Sequence, residues 1–391
     1  MISNLPPRVC ADALWLIDAK ARGGSHWLSN ADCQINAITI AGSTQPVSLL
    51  SRNESSSKNS NNNHSSYVSS PRSTWLRYAR EEARGQLSAK LPASLSQLRA
   101  IANTGINCIF SPLAALISAS GIDQSAIVGN HLVSTNLYPD WQVQDIAQMT
   151  EELIGEYPDR PLMMRNICGE VTPKLASSLQ AQSWDLIPAR MIYTCDPQLA
   201  PLWKRNHVRQ DAKLFSDGKL EIVRPEQILT SDLPHLRSLF RQLFIEKHSR
   251  LNPDFTPAFF ELCQEMRFLD LYGLRFQNRL VGVLGLYENT QSGWITTPLI
   301  GYDTSLPQEL GLYRRLMALL LQQAKERKLK LHYSSGASQF KRARGGEANL
   351  EYTAVYSRHL PAYQKIAIKL LATSLQRLAP QILKKSRLAL T

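Results

Sequence analysis

The spacing of apolar residues predicts alternating strands and helices through residues 125–195. Residues 125–137 and the run PLMMRNI have the apolar content of strands, and residues 184–195 return to the same pattern. Residues 141–156 carry apolar side chains near helical spacing. Thr172-Pro173 is a favourable start for a second helix, because threonine caps a helix and proline fits its first position. This half of the chain therefore predicts strand, helix, strand, helix, strand.

The second half predicts a longer series of elements after a basic connecting segment. We take residues 201–222 as a basic joint, in which a helix is followed by a turn at Asp217-Gly218 and a strand. Downstream, the pattern predicts two helices, three strands joined by short polar turns, a helix, two more strands and a basic terminal helix. The expected fold class is α/β, in the α+β arrangement. It consists of two tandem modules, residues 1–200 and 223–391, each a mixed, mostly antiparallel sheet flanked by helices.

Residues 42–74 are dominated by serine and asparagine. So polar a stretch buries too little apolar surface to offset the entropy lost on ordering, and we expect a disordered insertion in the N-terminal module.

Charge and cysteine content narrow the class of protein. The net charge of +12 favours an anionic partner, such as nucleic acid, a phosphate-rich cofactor, an acidic carrier protein or a membrane surface. The six cysteines are scattered singly, so neither a metal site nor a disulfide framework is predicted. No apolar run is long enough to span a bilayer, and no signal peptide is apparent. We therefore expect a cytoplasmic protein without stable membrane insertion.

One junction in the second half has the features of an anion-binding site. The strand that ends at Tyr302-Asp303 is followed by a short turn and the helix that begins near Gly311. Such a junction presents free backbone N–H groups at the positive end of the helix dipole. The predicted anion-binding residues are Gln308, Gly311, Arg314 and Arg315. The alternative is a helix with an ordinary polar start.

The order of elements around this junction resembles the GNAT acyltransferases. Two helices, a meander, a Gln-x-x-Gly-x turn into a helix and a further strand follow one another, and the turn reads Gln308-Glu309-Leu310-Gly311-Leu312-Tyr313. In that family the turn holds the diphosphate of acyl-CoA, and Tyr313 stands where the family prefers glycine or alanine. The joint segment WKRNHVRQDAKL and Phe340-Lys341-Arg342 are similar to segments of Fem-type and Fem-like enzymes, which resemble two GNAT folds in one chain.

The resemblance implies acyl transfer to an amine. The implied donor is acyl-CoA or a phosphopantetheine thioester, with aminoacyl-tRNA as the alternative, and no metal is required. The implied partners are an amine-bearing small molecule or peptide as acceptor, and an acyl-carrier protein or tRNA as carrier. A third hypothesis is that the chain is a non-catalytic module that binds RNA or a carrier protein.

Candidate catalytic groups lie at strand ends near the expected cleft. Asp303 is our first candidate for a general base or an anchor for the substrate ammonium, with a turn-capping role as the alternative. Glu288 and Tyr333 are further candidates. The alternatives are that Glu288 is a solvated hairpin residue and that Tyr333 is a core tyrosine. Three basic residues between glycines are predicted to bind a phosphate-bearing donor, since arginine matches phosphate bidentately and lysine adds a point charge; they are Lys341, Arg342 and Arg344.

Overall fold

One mixed sheet runs through the molecule. The computed structural model describes residues 7–50, 65–90 and 96–388, and eleven strands within these ranges form the sheet. The strands are β1 (Cys33–Ile40), β2 (Ser43–Leu50), β3 (Ala126–Val128), β4 (Leu162–Ile167), β5 (Asp185–Cys195), β6 (Glu221–Val223), β7 (Asp270–Phe276), β8 (Arg279–Asn289), β9 (Trp294–Tyr302), β10 (Lys330–His332) and β11 (Glu347–Tyr356). Every neighbouring pair is antiparallel except β3/β4 and β9/β10, which are parallel. The predicted fold class is confirmed.

The strand order shows two halves, and at their boundary each half places one strand on the other side. Across the sheet the order is β1-β2-β3-β4-β11-β5-β10-β9-β8-β7-β6. Each half is a series of strands that ends in a parallel pair, β3/β4 from one edge and β9/β10 from the other. Between these pairs, β11 from the second half lies against β4, and β5 from the first half lies against β10. The two similar patterns in the sequence therefore share one sheet, and the division at residues 201–222 stays a prediction.

Helices cover both faces of the sheet. They are α1 (Pro7–Arg22), α2 (Tyr78–Lys90), α3 (Ser96–Ser120), α4 (Val143–Glu156), α5 (Pro173–Ala181), α6 (Ala200–Trp203), α7 (Asn206–Phe215), α8 (Leu233–Arg241), α9 (Pro257–Met266), α10 (Leu312–Glu326), α11 (Ser338–Ala343) and α12 (Ala362–Leu388). α1, α8 and α9 pack on one face of the β7–β9 meander, and α10 packs on the other. α4 and α5 cover one face of the first half, while α3 and α12 cover the other. Coverage of both faces explains why β4 is buried along its whole length, including the polar residues Arg165 and Asn166.

Most predicted elements are present with shifted ends. The helix at 141–156 is α4, PLMMRNI contains β4, and the three-strand meander is β7–β9. The strand predicted over 125–137 is limited to β3, and residues beyond it form a buried loop. Gly129, with φ +65° in the left-handed region, turns the chain away from the sheet, and a Cβ there would lie 2.4 Å from the Tyr138 ring.

The expectation of a disordered insertion at 42–74 is wrong at both of its ends. Residues 43–50 form β2, which pairs along its whole length with β1. In the stretch that follows residue 64, Ser66 and Ser69 are buried, and Ser66 Oγ donates a hydrogen bond to the Leu251 carbonyl. Hydrogen bonds to backbone carbonyls satisfy these hydroxyl groups, so a serine-rich composition does not prevent burial. Residues 51–64 lie outside the described residues.

Candidate functional site

The parallel strands β9 and β10 separate after a short stretch of pairing. Pairing runs from Lys330 opposite Trp294 to His332 opposite Thr296, while β9 continues to Tyr302. Beyond β10, the chain leaves the sheet at Ser334, which adopts φ 60°. The sheet therefore opens beside the junction at which the sequence predicts anion binding.

That junction has the predicted turn but is closely covered by α7. Gly311 begins α10 in the left-handed region, at φ 59°, and a Cβ at this position would lie 2.6 Å from Leu214 Cδ2. Only glycine meets both requirements without strain. Gln308 is exposed in the turn before it. Tyr313, the departure from the family pattern, lies with its ring centroid 4.8 Å from that of Phe340 and 6.2 Å from that of Tyr302.

The predicted basic residues next to the turn are paired with two aspartates of the joint. We call this group the joint cluster: Asp211, Asp217, Arg314, Arg315 and Arg344. Asp211 accepts a hydrogen bond from Arg314 Nε at 2.7 Å and another from Arg344 Nε. Arg315 is 1% exposed and forms a bidentate pair with Asp217, with Nη2–Oδ2 at 2.6 Å. Hydrogen bonds from Arg315 lower the pKa of Asp217 to about 2. These arginines tie α7 and α11 to α10, and their binding of an anion stays a prediction.

A second polar group lies in the middle of the sheet, where β5 and β11 meet. We call it the central cluster: Asn166, Arg190, His332, Lys341 and Glu351. Glu351 accepts hydrogen bonds from Arg190 Nε at 2.6 Å and from Asn166 Nδ2 at 3.0 Å. Burial raises the pKa of the Glu351 carboxyl, but the Arg190 charge and the hydrogen bonds outweigh burial and lower it to about 2. Glu351 is therefore a charged carboxylate in a buried position, 1% exposed.

His332 is held in one neutral tautomer beside Glu351. Its Nδ1 accepts a hydrogen bond from the Ser334 backbone N–H at 3.0 Å, and its Nε2 lies 3.6 Å from Glu351 Oε2. Because Nδ1 accepts, the proton of the neutral ring resides on Nε2. Burial lowers the pKa of the imidazole, which favours this neutral form.

The sheet is irregular at the central cluster. The register of β11 shifts against β5 between Glu351 and Tyr352, and against β4 between Tyr352 and Ala354. Asn166 on β4 has φ 61°, in the left-handed region. Bulges and non-glycine residues with positive φ concentrate at functional sites, and this supports a functional role for the cluster.

The same side chains hold a buried loop, residues 129–141, against the sheet. Arg190 Nη2 and Asn166 Nδ2 donate to the carbonyl of Ser134, at 2.8 and 3.3 Å. Arg190 Nη2 also donates to Thr135 Oγ1, which in turn donates to Ser334 Oγ at 3.2 Å. The loop is thereby fixed next to the point at which β9 and β10 separate.

Among the described residues, Lys341 and Arg342 have no carboxylate partner, whereas Arg314, Arg315 and Arg344 each have one. Lys341 Nζ donates hydrogen bonds to the carbonyls of Ser334 and Ser335, and it lies 5.9 Å from the centre of the Tyr193 ring. Burial, with the Arg190 charge adding to it, lowers the pKa of the ammonium to about 7. At neutral pH the group therefore exchanges a proton readily. Arg342, the next residue, is half-buried, with its guanidinium 5.6 Å from the centre of the same Tyr193 ring.

An apolar cavity lies between α7 and α10. Its volume is about 790 Å³, within the range of roughly 300–1,000 Å³ that is typical of small-molecule sites. Trp203, Phe215 and Leu321 contribute to its apolar wall, and Tyr333 and Arg344 line it as well. Tyr333 is buried against Cys195, and burial raises the pKa of its hydroxyl well above the ordinary value. The cavity thus brings two of the predicted site residues to one space.

The two predicted carboxylates lie apart and are both paired. Asp303 Oδ2 accepts from Arg279 Nη2 at 2.7 Å, and its Oδ1 accepts from the Ser305 N–H and hydroxyl. Burial acts to raise the pKa of Asp303, but the Ser305 hydrogen bonds and Arg279 give a net lowering. Glu288 pairs with Arg327 at 2.7 Å. Within the described residues, no hydrogen bond or ion pair joins Asp303, Glu288 and Tyr333, and no group of side chains has the geometry to hold a metal ion.

Sequence reasoning missed most of the central cluster. Arg190 and Asn166 come from the first half of the chain and reach Glu351 only because β11 inserts between β4 and β5. A signal was present at Glu351, because a carboxylate stands beside the apolar positions of a strand that the sheet buries.

Comparison with known proteins gives partial structural likeness. No family model matches the chain, and no curated protein does. Among solved structures, a C-terminal DUF2156 domain from Agrobacterium fabrum is 14% identical, with 64% of this chain and 81% of that chain covered at a TM-score of 0.45. L-PGS from Bacillus licheniformis is 14% identical, with 59% of this chain and 78% of that chain covered at a TM-score of 0.43. FemX is 9% identical, with 57% of this chain and 79% of that chain covered at a TM-score of 0.45. With TM-scores below 0.5, these likenesses leave the function to be argued from the chain's own geometry.

Proposed function

We propose that the protein is an N-acyltransferase that moves an acyl group from a thioester donor, acyl-CoA or an acyl-carrier protein, to an amine. The observation that carries this proposal is the cavity between α7 and α10, which has an apolar wall and includes Tyr333 and Arg344. Such a space suits an acyl chain or a pantetheine arm, because burial of apolar groups drives binding and a few polar groups set the orientation. Gln308, Gly311 and Arg342 are the proposed contacts to the donor phosphates.

Two residues supply the chemistry in this proposal. The neutral form of Lys341 takes a proton from the acceptor ammonium, and a base with a pKa near 7 is suited to this step at neutral pH. The free amine then attacks the thioester carbonyl carbon, and the C–S bond breaks with its electron pair on sulfur. The proton that the amine nitrogen loses on forming the amide passes to the thiolate. Tyr333, kept protonated by its raised pKa, donates a hydrogen bond to the departing thiolate.

Asp303 fits the role of ammonium anchor better than that of base. Its lowered pKa makes it a weak proton acceptor but a constant negative charge at neutral pH. We expect Asp303→Asn to lower kcat/KM for the amine at least several tens-fold, mainly by raising KM. Unchanged kinetics would assign Asp303 to the turn that Ser305 closes, and Glu288→Gln, which removes an ion-paired hairpin carboxylate, is the matched comparison.

Aminoacyl-tRNA is the second candidate donor. The net charge of +12 favours it, because a tRNA is recognised largely through its phosphates. Ribonuclease treatment separates the candidates: loss of product after treatment identifies tRNA as the donor, while persistence of product supports the thioester.

The decisive experiment measures binding and turnover of defined donors. The full chain is mixed with acetyl-CoA, longer acyl-CoAs, acyl-carrier protein and aminoacyl-tRNA, and thermal stabilisation and acylated amine products are recorded. Ala318→Trp fills the cavity and is expected to abolish stabilisation by the thioester, whereas Ala119→Trp on the exposed face of α3 leaves it intact. No stabilisation and no product with any donor would refute catalysis and leave the non-catalytic binding module.

A further inference from the structure

The end of the chain carries most of the excess positive charge. From residue 352 to residue 391 the sequence contains no aspartate or glutamate. It contains seven basic residues in this span, against a net charge of +12 for the whole chain: Arg358, Lys365, Lys369, Arg377, Lys384, Lys385 and Arg387. Six of these seven basic residues belong to α12; Arg358 precedes it. None of the described helices is both long and apolar enough to cross a membrane.

Over residues 362–377, where the side chains of α12 are described, the helix has one buried apolar face and one exposed apolar row. Ile368 and Leu371 are fully buried where α12 packs on α3 and β5. On another side of the helix, Tyr363, Ile366 and Leu370 are 63%, 60% and 53% exposed. Their spacing of three and four residues places them in one row along the helix, which we call the α12 stripe.

Basic side chains border the stripe. Lys365 is exposed beside Ile366. Lys369 is next to Leu370, with its side chain 70% exposed and its Nζ 2.9 Å from Asp185 Oδ1. Arg377 is exposed about two turns beyond Leu370. A surface that complements this face must therefore offer negative charge next to an apolar layer.

We propose that the α12 stripe docks on the surface of a lipid bilayer that contains anionic lipids. A helix of this kind lies in the interface, with its apolar row among the acyl boundary and its lysines at the headgroups. Anionic headgroups attract each nearby lysine or arginine, so both terms act together. An RNA would engage the basic residues but would leave Ile366 and Leu370 in water, since base stacking uses aromatic rings. The proposal does not depend on the acyl-transfer reaction.

Vesicle binding tests the proposal directly. The full chain is sedimented with vesicles of equal parts phosphatidylcholine and phosphatidylglycerol, and with vesicles of phosphatidylcholine alone. We expect binding to the anionic vesicles, reduced by salt and much weaker without phosphatidylglycerol. Ile366→Gln with Leu370→Gln should weaken binding by about tenfold or more, because each side chain loses burial in the acyl boundary. Lys365→Gln with Arg377→Gln should weaken it and flatten its salt dependence.

Leu199→Gln with Leu229→Gln is the matched control. These leucines are 58% and 63% exposed on other parts of the surface, and their substitution should leave vesicle binding unchanged. Equal thermal stability of the two double variants shows that both fold. The proposal is overturned if the stripe variant binds anionic vesicles as the unsubstituted chain does, or if phosphatidylcholine alone is bound equally well. Binding of a tRNA but not of vesicles would assign the face to RNA, and a dimer that the stripe variant dissociates would assign it to a second copy.

Discussion

The two polar clusters contain the same kinds of side chain but neutralise them differently. In the joint cluster, Arg314 and Arg344 share Asp211, and Arg315 pairs with Asp217, so that each cation has a carboxylate. In the central cluster, Glu351 pairs with Arg190, while Lys341 is left to backbone carbonyls. Burial lowers the pKa of this Lys341 ammonium to about 7. The comparison shows that basic residues close together in sequence do not by themselves define a site. The partner that each of them acquires in the folded chain decides its role.

The difference also separates two functions of buried charge. Paired cations at the joint fix how α7 and α11 sit on α10, and this is a structural role. An unpaired lysine in a low-polarity environment costs stability, and such groups persist where their proton exchange is used. Substitutions at the two clusters should therefore have different signatures.

The largest effect is expected from Glu351→Gln, which removes the one carboxylate of the central cluster. Arg190 then loses its charged partner, and breaking a buried pair costs about 3–5 kcal/mol of unfolding free energy. Urea unfolding at neutral pH measures this loss. Glu347→Gln on the same strand is the control, because Glu347 is exposed.

Acid titration checks the same prediction by an independent route. The pKa of Glu351 is lowered in the folded state to about 2, so its contribution is present above the unfolded-state pKa and is lost as the pH falls toward 2. Glu351→Gln should flatten the acid limb of the stability curve. A loss of unfolding free energy below 1 kcal/mol at neutral pH, together with an unchanged acid limb, would contradict the prediction that Glu351 is charged and stabilises the fold.

Asp211→Asn should have the next largest effect, because it removes the carboxylate that two arginines share. We expect a loss of about 2–3 kcal/mol in unfolding free energy, the scale of charge-assisted hydrogen bonds to a buried group. Glu309→Gln, an exposed carboxylate in the turn before α10, should have little effect. If Asp211→Asn instead leaves stability unchanged and tightens binding of a phosphate-bearing donor, the arginines of the joint cluster form an anion-binding site, and Asp211 competes with the donor for them.

The sequence predicts those parts of the fold that depend on local contacts. The meander, α4, β4, α5 and α10 depend on periodicity and turn residues within short segments, and these were predicted correctly. The hairpin of β1 and β2 was missed although its pairing is local, because the composition places the polar residues at the start of β2 in a serine-rich insertion. The exchange of β5 and β11 depends on pairing between residues more than a hundred positions apart, which no local pattern encodes.

The candidate site divides in the same way. The glycine turn at Gly311 was predictable, because a positive φ before a helix is a local requirement. The use of Arg314, Arg315 and Arg344 was not, because Asp211 and Asp217 reach them only after α7 packs on α10. Lys341 was singled out by its glycine-flanked segment, but its distinct environment comes from burial and from Arg190.

The smallest and most specific effect is expected from Lys341→Met, and it lies in the pH dependence of stability. The pKa of Lys341 is about 7 in the folded state against about 10.4 in the unfolded chain, so the unfolded chain binds more protons between these values. The stability of the unsubstituted protein should therefore rise with pH in this window by about 1.4 kcal/mol per pH unit relative to the methionine variant. Urea unfolding of both proteins at about pH 8 and about pH 9 measures the slope, and Lys213→Met, at an exposed lysine of α7, should show none. Parallel curves for the protein and its Lys341→Met variant would mean that Lys341 stays fully charged when folded, and the distinction between the two clusters would then fail at the residue on which it depends.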